Sequence, residues 1–326
     1  MRRPRNPQNT IVLLVFIIII LALALALSVM ANFSLLPGTA GDPVQAAPPG
    51  LAVDGDLIMA RAADFGVSIE FLQLIFPGYL VYQDGGAYVY QPLDPELPLH
   101  DYLWRRLFQG EGRIYYQDER YPHIAYGIDV STYQGEIDWQ AVAGDGVDFA
   151  MIRLGYRGYS QGALFQDDQA EKNLNGAAAA GLSIGAYFFS QAVTVAEAEE
   201  EAQMALAILD GRELAYPVVC DMEEISGEVS RIDSLSIAER TQVIKAFCQA
   251  IEDGGYQAMI YGNIRWLAGR IDLAELKDYP LWLGQYHSRP LFPYDFAIWQ
   301  YTDSATVQGI EKPVDMNICF KQTWRE

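Results

Sequence analysis

Only three cysteines and three histidines occur among the 326 residues. Cys220, Cys248 and Cys319 cannot all pair, and none stands in zinc-type spacing, which excludes a disulfide framework and a structural zinc site. Each lies in an apolar strand or helix pattern and reads as a small buried hydrophobe. His100, His123 and His287 are too scattered for a Ser/His/Asp arrangement. Positive charge is also scarce: 22 basic residues against 42 acidic ones leave a net charge of −20. Arg2, Arg3 and Arg5 precede the first apolar segment, so the remainder is more acidic still. A surface of that sign repels phosphate backbones, and no nucleic-acid partner is expected.

What is present is a 51% hydrophobic chain, long enough for one full-sized core and a small extra module. Behind the basic head, residues 1–10, an uncharged apolar run over 11–31 is long enough to span a bilayer. The arginines hold that head on the cytoplasmic side and place everything after residue 32 outside. A cleavable signal peptide has the same polarity but a shorter apolar region, with a small-residue site available near 29–31. The expectation is a membrane anchor over 11–32, with a secreted protein as the outcome of cleavage. Residues 33–50, rich in Pro, Gly and Ala, read as a flexible linker.

Residues 51–124 read as a small α+β module. Apolar spacing predicts one or two helices over 56–76, and alternating runs at 79–82 and 87–91 flank a glycine turn as a hairpin. A third strand is expected at 112–116, with Trp104, Leu107 and Phe108 in its core. The module carries no catalytic constellation. It is either a cap or spacer, or a surface on which the tyrosine-rich hairpin meets wall or protein partners.

From 125 to 326, strand-like runs at 126–130, 149–154, 183–189, 217–222, 258–261, 281–286, 296–301 and 314–318 alternate at first with helical patterns. A helix over about 167–180 closes at Gly181, and two more open on the capping boxes Thr194/Glu197 and Ser236/Glu239. The acid run Glu197, Glu199, Glu200 and Glu201 reads as solvated first turns favoured by the helix dipole. After residue 286, the segments 288–295 and 302–313 are too short, too proline-rich or too polar for crossover helices. Loops therefore join the last strands, some of which are free to run antiparallel. The pattern describes an eight-stranded barrel with five helical crossovers and an irregular close.

The stretch PVVCDMEE at 217–224 is a buried strand that ends in acids. Asp221 and Glu223, two apart, leave the same face, whereas Val218, Cys220 and Met222 leave the other. Repulsion and desolvation lift one of the two carboxyls toward a neutral pKa. Asp129 closes the first strand and Asp315 lies in the last. Closure of the barrel makes those two neighbours, facing the central pair across the mouth where active sites gather. A pocket of carboxylates alone points to glycoside hydrolysis, in which one acid protonates the leaving oxygen and another supports or attacks the sugar centre. Tyr187, Tyr261, Trp282 and Trp299 are available to stack on sugar faces. The competing readings are a wall-binding groove without catalysis and a metal hydrolase such as a deacetylase. The second is opposed by the lack of histidine ligands at the strand ends.

Taken together, GIDVSTYQG at 127–135, IDW at 137–139, GAYFF at 185–189, PVVCDME at 217–223, LWLGQY at 281–286, IWQY at 298–301 and VDMN at 314–317 resemble glycoside hydrolase family 25, the Chalaropsis-type lysozymes or N-acetylmuramidases. The resemblance covers about residues 126–320. It implies an α/β fold, an irregular TIM-like (β/α)5β3 barrel. It also implies Glu223 as general acid and Asp221 as a partner that attacks directly or assists the substrate's N-acetyl group. Asp129 and Asp315 would line the centre, tuning pKa values and holding substrate; beside them the strand-end aromatics Tyr187, Tyr261, Trp282 and Trp299, with Gln300, are the candidate substrate-binding residues. The implied reaction is hydrolysis of the β-1,4 bond between N-acetylmuramic acid and N-acetylglucosamine in peptidoglycan, without metal or cofactor. The amino-terminal module and anchor set the chain apart from a secreted phage-type lysin and suggest a tethered wall-remodelling enzyme.

Overall fold

The structure, a computed structural model, describes residues 55–322 apart from Ser226, together with Trp324. The basic head, the expected membrane span over 11–32 and the linker lie outside the described residues. Among the described residues no helix is long and apolar enough to cross a membrane.

The first elements are helices α1 (Gly55–Arg61) and α2 (Ile69–Ile75), then the hairpin β1 (Tyr79–Asp84) and β2 (Ala87–Pro92), and a second hairpin, β3 (Leu107–Gly110) with β4 (Arg113–Tyr116). Gly85 and Gly86, with φ of 55° and 83°, form the first hairpin's two-residue turn, a conformation that side-chain-bearing residues resist. Period-two alternation gives β1 two apolar faces. Leu80 and Tyr82 are buried in the main core, while Val81 packs with Leu72 and Ala62 of the helical layer. Tyr79, Tyr88 and Tyr90 pack against that same small cluster. The hairpin's tyrosines are therefore spent on packing, against the reading of them as a free recognition face. Phe108, expected in the core, is 51% exposed, because the β3–β4 hairpin turns it outward.

The large part runs β5 (Ala125–Val130), α3 (Trp139–Gly144), β6 (Phe149–Arg157), β7 (Leu164–Gln166), α4 (Ala170–Ala179), β8 (Ser183–Ser190), α5 (Val195–Leu209), β9 (Val218–Met222), α6 (Ile237–Asp253), β10 (Ala258–Asn263), α7 (Ile264–Gly269), β11 (Leu281–Gly284), β12 (Ile298–Ala305) and β13 (Val314–Cys319). Eight strands close in the order β5-β13-β12-β11-β10-β9-β8-β6, and β6 pairs back onto β5. The ninth strand, β7, adds antiparallel to the outer end of β6. It was not anticipated, since three residues carry no periodicity. Helices α3 to α7 make five crossovers. Of the two expected capping boxes, Ser236 and Glu239 cap one another in full, whereas at Thr194 only half forms: its hydroxyl accepts from the Glu197 amide, but the Glu197 carboxylate accepts from Val193 N instead of the cap residue's own N–H.

Loops join the last three strands, but only β13 is reversed, pairing antiparallel with both β12 and β5. Strand β12 stays parallel to β11 because residues 285–297 are long enough to return beneath the barrel without a helix. That return is held by the first module. Asp295 N donates to the Pro98 carbonyl, His100 N to the Pro293 carbonyl, and the Tyr102 ring stacks on Phe320 with centroids 4.3 Å apart. Gly55–Glu326 accordingly form one compact unit.

Alternation along each strand separates two cores. Residues such as Ile128, Ala150, Ile152, Cys220, Ile260 and Ile318 face the helices. Phe149, Met151, Val219, Met259, Trp282, Ile298 and Cys319 fill the barrel. Small residues make that filling possible. A Cβ on Gly127 would stand 2.5 Å from the Phe149 ring. Gly127→Ala is accordingly expected to overpack the floor and cost about 1–3 kcal/mol. Chemical denaturation measures this, and recovery in the double variant with Phe149→Leu identifies the clash as the cause.

Candidate active site

Barrel-facing positions rise in register from floor to mouth. Strand β5 presents Ala125, Gly127, Asp129; β6 presents Phe149, Met151, Arg153; β9 presents Val219 and Asp221, with Glu223 just beyond its end. Strand β13, running the other way, begins at the mouth with Asp315 and descends through Asn317 to Cys319. Asp315 is the pairing partner of Asp129. Asp221 pairs with Tyr261 on one side and Phe189 on the other. The four acids nominated from sequence thus gather at one end of one barrel.

Asp129 is buried, and its Oδ2 accepts from Gln300 Nε2 at 2.9 Å and Asn317 Nδ2 at 2.8 Å. The two amides are held in turn. Gln300 Oε1 accepts from the hydroxyls of Tyr261, at 2.8 Å, and Tyr286, at 2.9 Å. Asn317 Oδ1 accepts from Trp282 Nε1 at 2.7 Å. Amides have both a donor and an acceptor end, so the chain fixes each one with its N–H groups toward the carboxylate. Asp221 is also buried, but among the described residues its Oδ1 finds no hydrogen-bond partner. Glu223 and Asp315 are partly exposed at the mouth.

These surroundings raise all four carboxyls. Burial lifts Asp129 to about 6, against the pull of its two amide donors. Burial, then the Asp129 charge, lifts Glu223 to about 7. Burial, then Asp129 and Asp303, lifts Asp315 to about 8. Asp221 is pushed well above the carboxylate range by burial, then Glu223 and Asp129, and is relieved in part by Arg153. Residues opposite one another on antiparallel strands have Cβ atoms about 5 Å apart. Two charges at that distance repel by about 3 kcal/mol at an effective dielectric near 20, or roughly two pKa units. The cluster therefore retains protons at neutral pH, and Asp129, with two donors, is the best placed to be ionised.

The sequence profile of glycosyl hydrolases family 25 matches residues 128–310. The chain belongs to that family. Within it, the autolytic lysozyme of Clostridium acetobutylicum is 26% identical over 192 residues, 59% of this chain and 54% of that protein. Lysozyme M1 of Streptomyces globisporus is 28% identical over 202 residues, 59% of this chain and 66% of that protein. This chain thus spans about half the length of the clostridial relative. A family 25 glycosyl hydrolase from Bacillus anthracis superposes with a TM-score of 0.53 at 22% identity, covering 64% of this chain and 94% of that one, a likeness of fold.

The family 25 barrel also corrects part of the sequence reading. Trp299 does not line the site: it lies one residue out of register with Gln300, is fully buried outside the barrel, and donates Nε1 to the Gln285 carbonyl at 2.8 Å. Trp282 lies inside but is only 2% exposed, so it forms the floor beneath the cluster rather than a stacking face. Tyr261, Tyr187 and Gln300 do border the acids. Three neighbours were not nominated. Tyr286 is half exposed beside Gln300, Asn317 grips Asp129, and Arg153, midway along β6 and next above Met151 on its barrel face, pairs at 2.8 Å with buried Asp167. Arg153 was legible in principle, as the charged member of the Phe149, Met151, Arg153 alternation.

The acid run on α5 is likewise not simply solvated. Glu201 is fully buried against Arg157 at 2.8 Å, and Glu197 pairs with Arg231 at 2.6 Å.

A carboxyl whose pKa is raised by folding binds more protons folded than unfolded, so it lowers stability as pH climbs from about 4 toward the raised value. Asp315→Asn removes one such group while keeping its shape. The variant should melt higher than the parent at pH 8, by roughly 2–4 °C per kcal/mol of relieved repulsion, and little changed at pH 4. Equal shifts at both pH values in a calorimetric comparison would show that charge is not the cause.

Proposed function

We propose that the protein is a lysozyme-type muramidase that hydrolyses the β-1,4 bond between N-acetylmuramic acid and N-acetylglucosamine in peptidoglycan. One observation carries the reading: four carboxyls converge in one cleft, and one of them, Asp221, holds a buried oxygen with no donor of its own. An unpaired buried acceptor is costly unless a ligand supplies the missing partner. The lysozymes among the family relatives support the substrate class.

In this mechanism Glu223, pushed up to about 7, keeps a substantial protonated fraction at neutral pH and gives its proton to the glycosidic oxygen as the C1–O bond breaks. Positive charge develops on the sugar ring. Asp221, which burial and its acidic neighbours hold protonated in the empty cleft, releases that proton to solvent as the positive charge develops; as a carboxylate it either attacks C1 or accepts the N–H of the substrate's acetamido group and orients that group's oxygen toward C1, and both roles require a free Oδ1. Water completes the hydrolysis, and Glu223, now a carboxylate, removes the water's proton. Asp129 keeps its position through Gln300 and Asn317, and its charge favours the protonated form of Glu223. Tyr187 and Tyr286, partly exposed at the rim, offer surfaces to flanking sugars.

We further propose that residues 11–32 tether the barrel to the outer face of the bacterial membrane, which fits an enzyme whose substrate is the neighbouring wall.

The purified protein should release reducing ends from peptidoglycan, with activity falling above about 7, where Glu223 loses its proton. Glu223→Gln should lower kcat by roughly 10²–10⁴-fold, and exhaustive chelation should leave activity intact. Tight glycan binding without reducing ends at any pH would favour a wall-binding role instead. Membrane fractionation tests the tether: the full chain should sediment with membranes until detergent is added, and a chain beginning at residue 33 should not.

A further inference from the structure

Glu223 stands just past the end of β9, and the described residues from there to the 3-10 turn at Arg231 belong to no helix or strand. Two contacts from outside supply what the backbone lacks. On one side Gln191, fully buried after β8, donates Nε2 to the Glu223 carbonyl at 3.0 Å. On the other, the next residue, Glu224, is gripped by two arginines. Arg270 Nε meets Glu224 Oε1 at 2.7 Å, and Arg265 Nη2 meets Oε2.

Both arginines continue to Asp84, the last residue of β1 in the amino-terminal hairpin. Arg270 Nη2 lies 3.0 and 2.9 Å from its two carboxylate oxygens, and Arg265 Nη1 lies 3.5 Å from the nearer one. The result is a closed square of two acids and two guanidiniums, none of them more than 36% exposed. Isolated surface ion pairs do little, but a network with forked arginine geometry fixes orientation as well as charge. The hairpin is seated tightly at this point. A Cβ on Gly269, next to Arg270, would stand 2.8 Å from the hydroxyl of buried Tyr82, so only glycine lets β1 approach α7 this closely.

Resting on the reading of Glu223 as the general acid, we infer that Asp84 is a positioning residue for it. Through Arg265 and Arg270 the amino-terminal module fixes Glu224, and with it the adjoining main chain of Glu223, so the module is part of the construction of the active site. Without Asp84, two guanidiniums share one carboxylate, their long side chains lose half their anchorage, and the chain leaving β9 is held from the Gln191 side alone.

The test uses the intact protein and Asp84→Asn, which keeps shape and removes charge. Expected is a roughly tenfold fall in kcat with KM unchanged, as for a small displacement of a catalytic group, and recovery in Asp84→Glu. Amide hydrogen exchange over 223–230 should accelerate while the barrel strands keep their protection. Unaltered exchange in that segment, or a lower melting temperature with kcat intact, overturns the inference. Exchange is read without substrate, so the clamp is judged even if Glu223→Gln proves active, an outcome that would sink the assignment of the acid instead.

Discussion

The antiparallel pairing of β13 with β5 is the constraint on which the site depends. It closes the barrel, and because β13 is the one reversed strand of the eight, its first residues lie level with the last residues of β5. Asp315 comes to stand opposite Asp129, and Asn317, one pleat lower, donates to the Asp129 carboxylate. Had β13 run parallel, a crossover would be required, and Asp315 would fall near the floor among Phe149 and Met259. The short connection over 306–313 forbids that crossover, so loop length and site geometry are one fact.

Closure sets up a conflict that the protein does not resolve internally. Like charges opposite one another on adjacent strands are destabilising, and here two such carboxyls share a mouth with two more. The partial remedies are uneven. Asp129 has two amide donors, Asp221 has only the distant pull of Arg153, and Glu223 and Asp315 keep some contact with water. That unevenness gives the groups different proton affinities, and such differences assign acid and base roles among chemically similar side chains. The strain remains in the folded state, as is common where function requires groups that packing alone would reject.

The amino-terminal module bears on both ends of the barrel. At the floor its residues 98–102 line the return loop that carries β12 up parallel to β11. Near the mouth its first hairpin ends in Asp84, two arginines away from Glu224. The same hairpin spends one face on the barrel and the other on its own helices, which leaves its tyrosines as mortar between layers. A module without catalytic residues of its own thus braces the return loop over 285–297 and, through Glu224, the chain that leaves β9.

Much of this was written in local pattern. Short apolar runs between helical patterns located all eight barrel strands, because strands buried on both faces are apolar nearly throughout. The capping boxes marked helix starts, and the run CDME showed which acids leave one face together. The reading failed where a side chain's surroundings come from afar. Trp299 resembled a sugar platform because sequence does not say which face of an uninterrupted apolar strand points inward; its neighbour Gln300 does, and only closure decides between them. Glu201 resembled a solvated acid because Arg157, its partner, is supplied by a strand, β6, over forty residues earlier in the chain. Sequence by itself determined the elements, their order and the inventory of acids, since these follow from short-range sterics and hydrophobic alternation. Tertiary structure alone decided which acids meet, which carry a proton and which module braces them, because electrostatic and packing energies depend on distances through space that a linear chain does not encode locally.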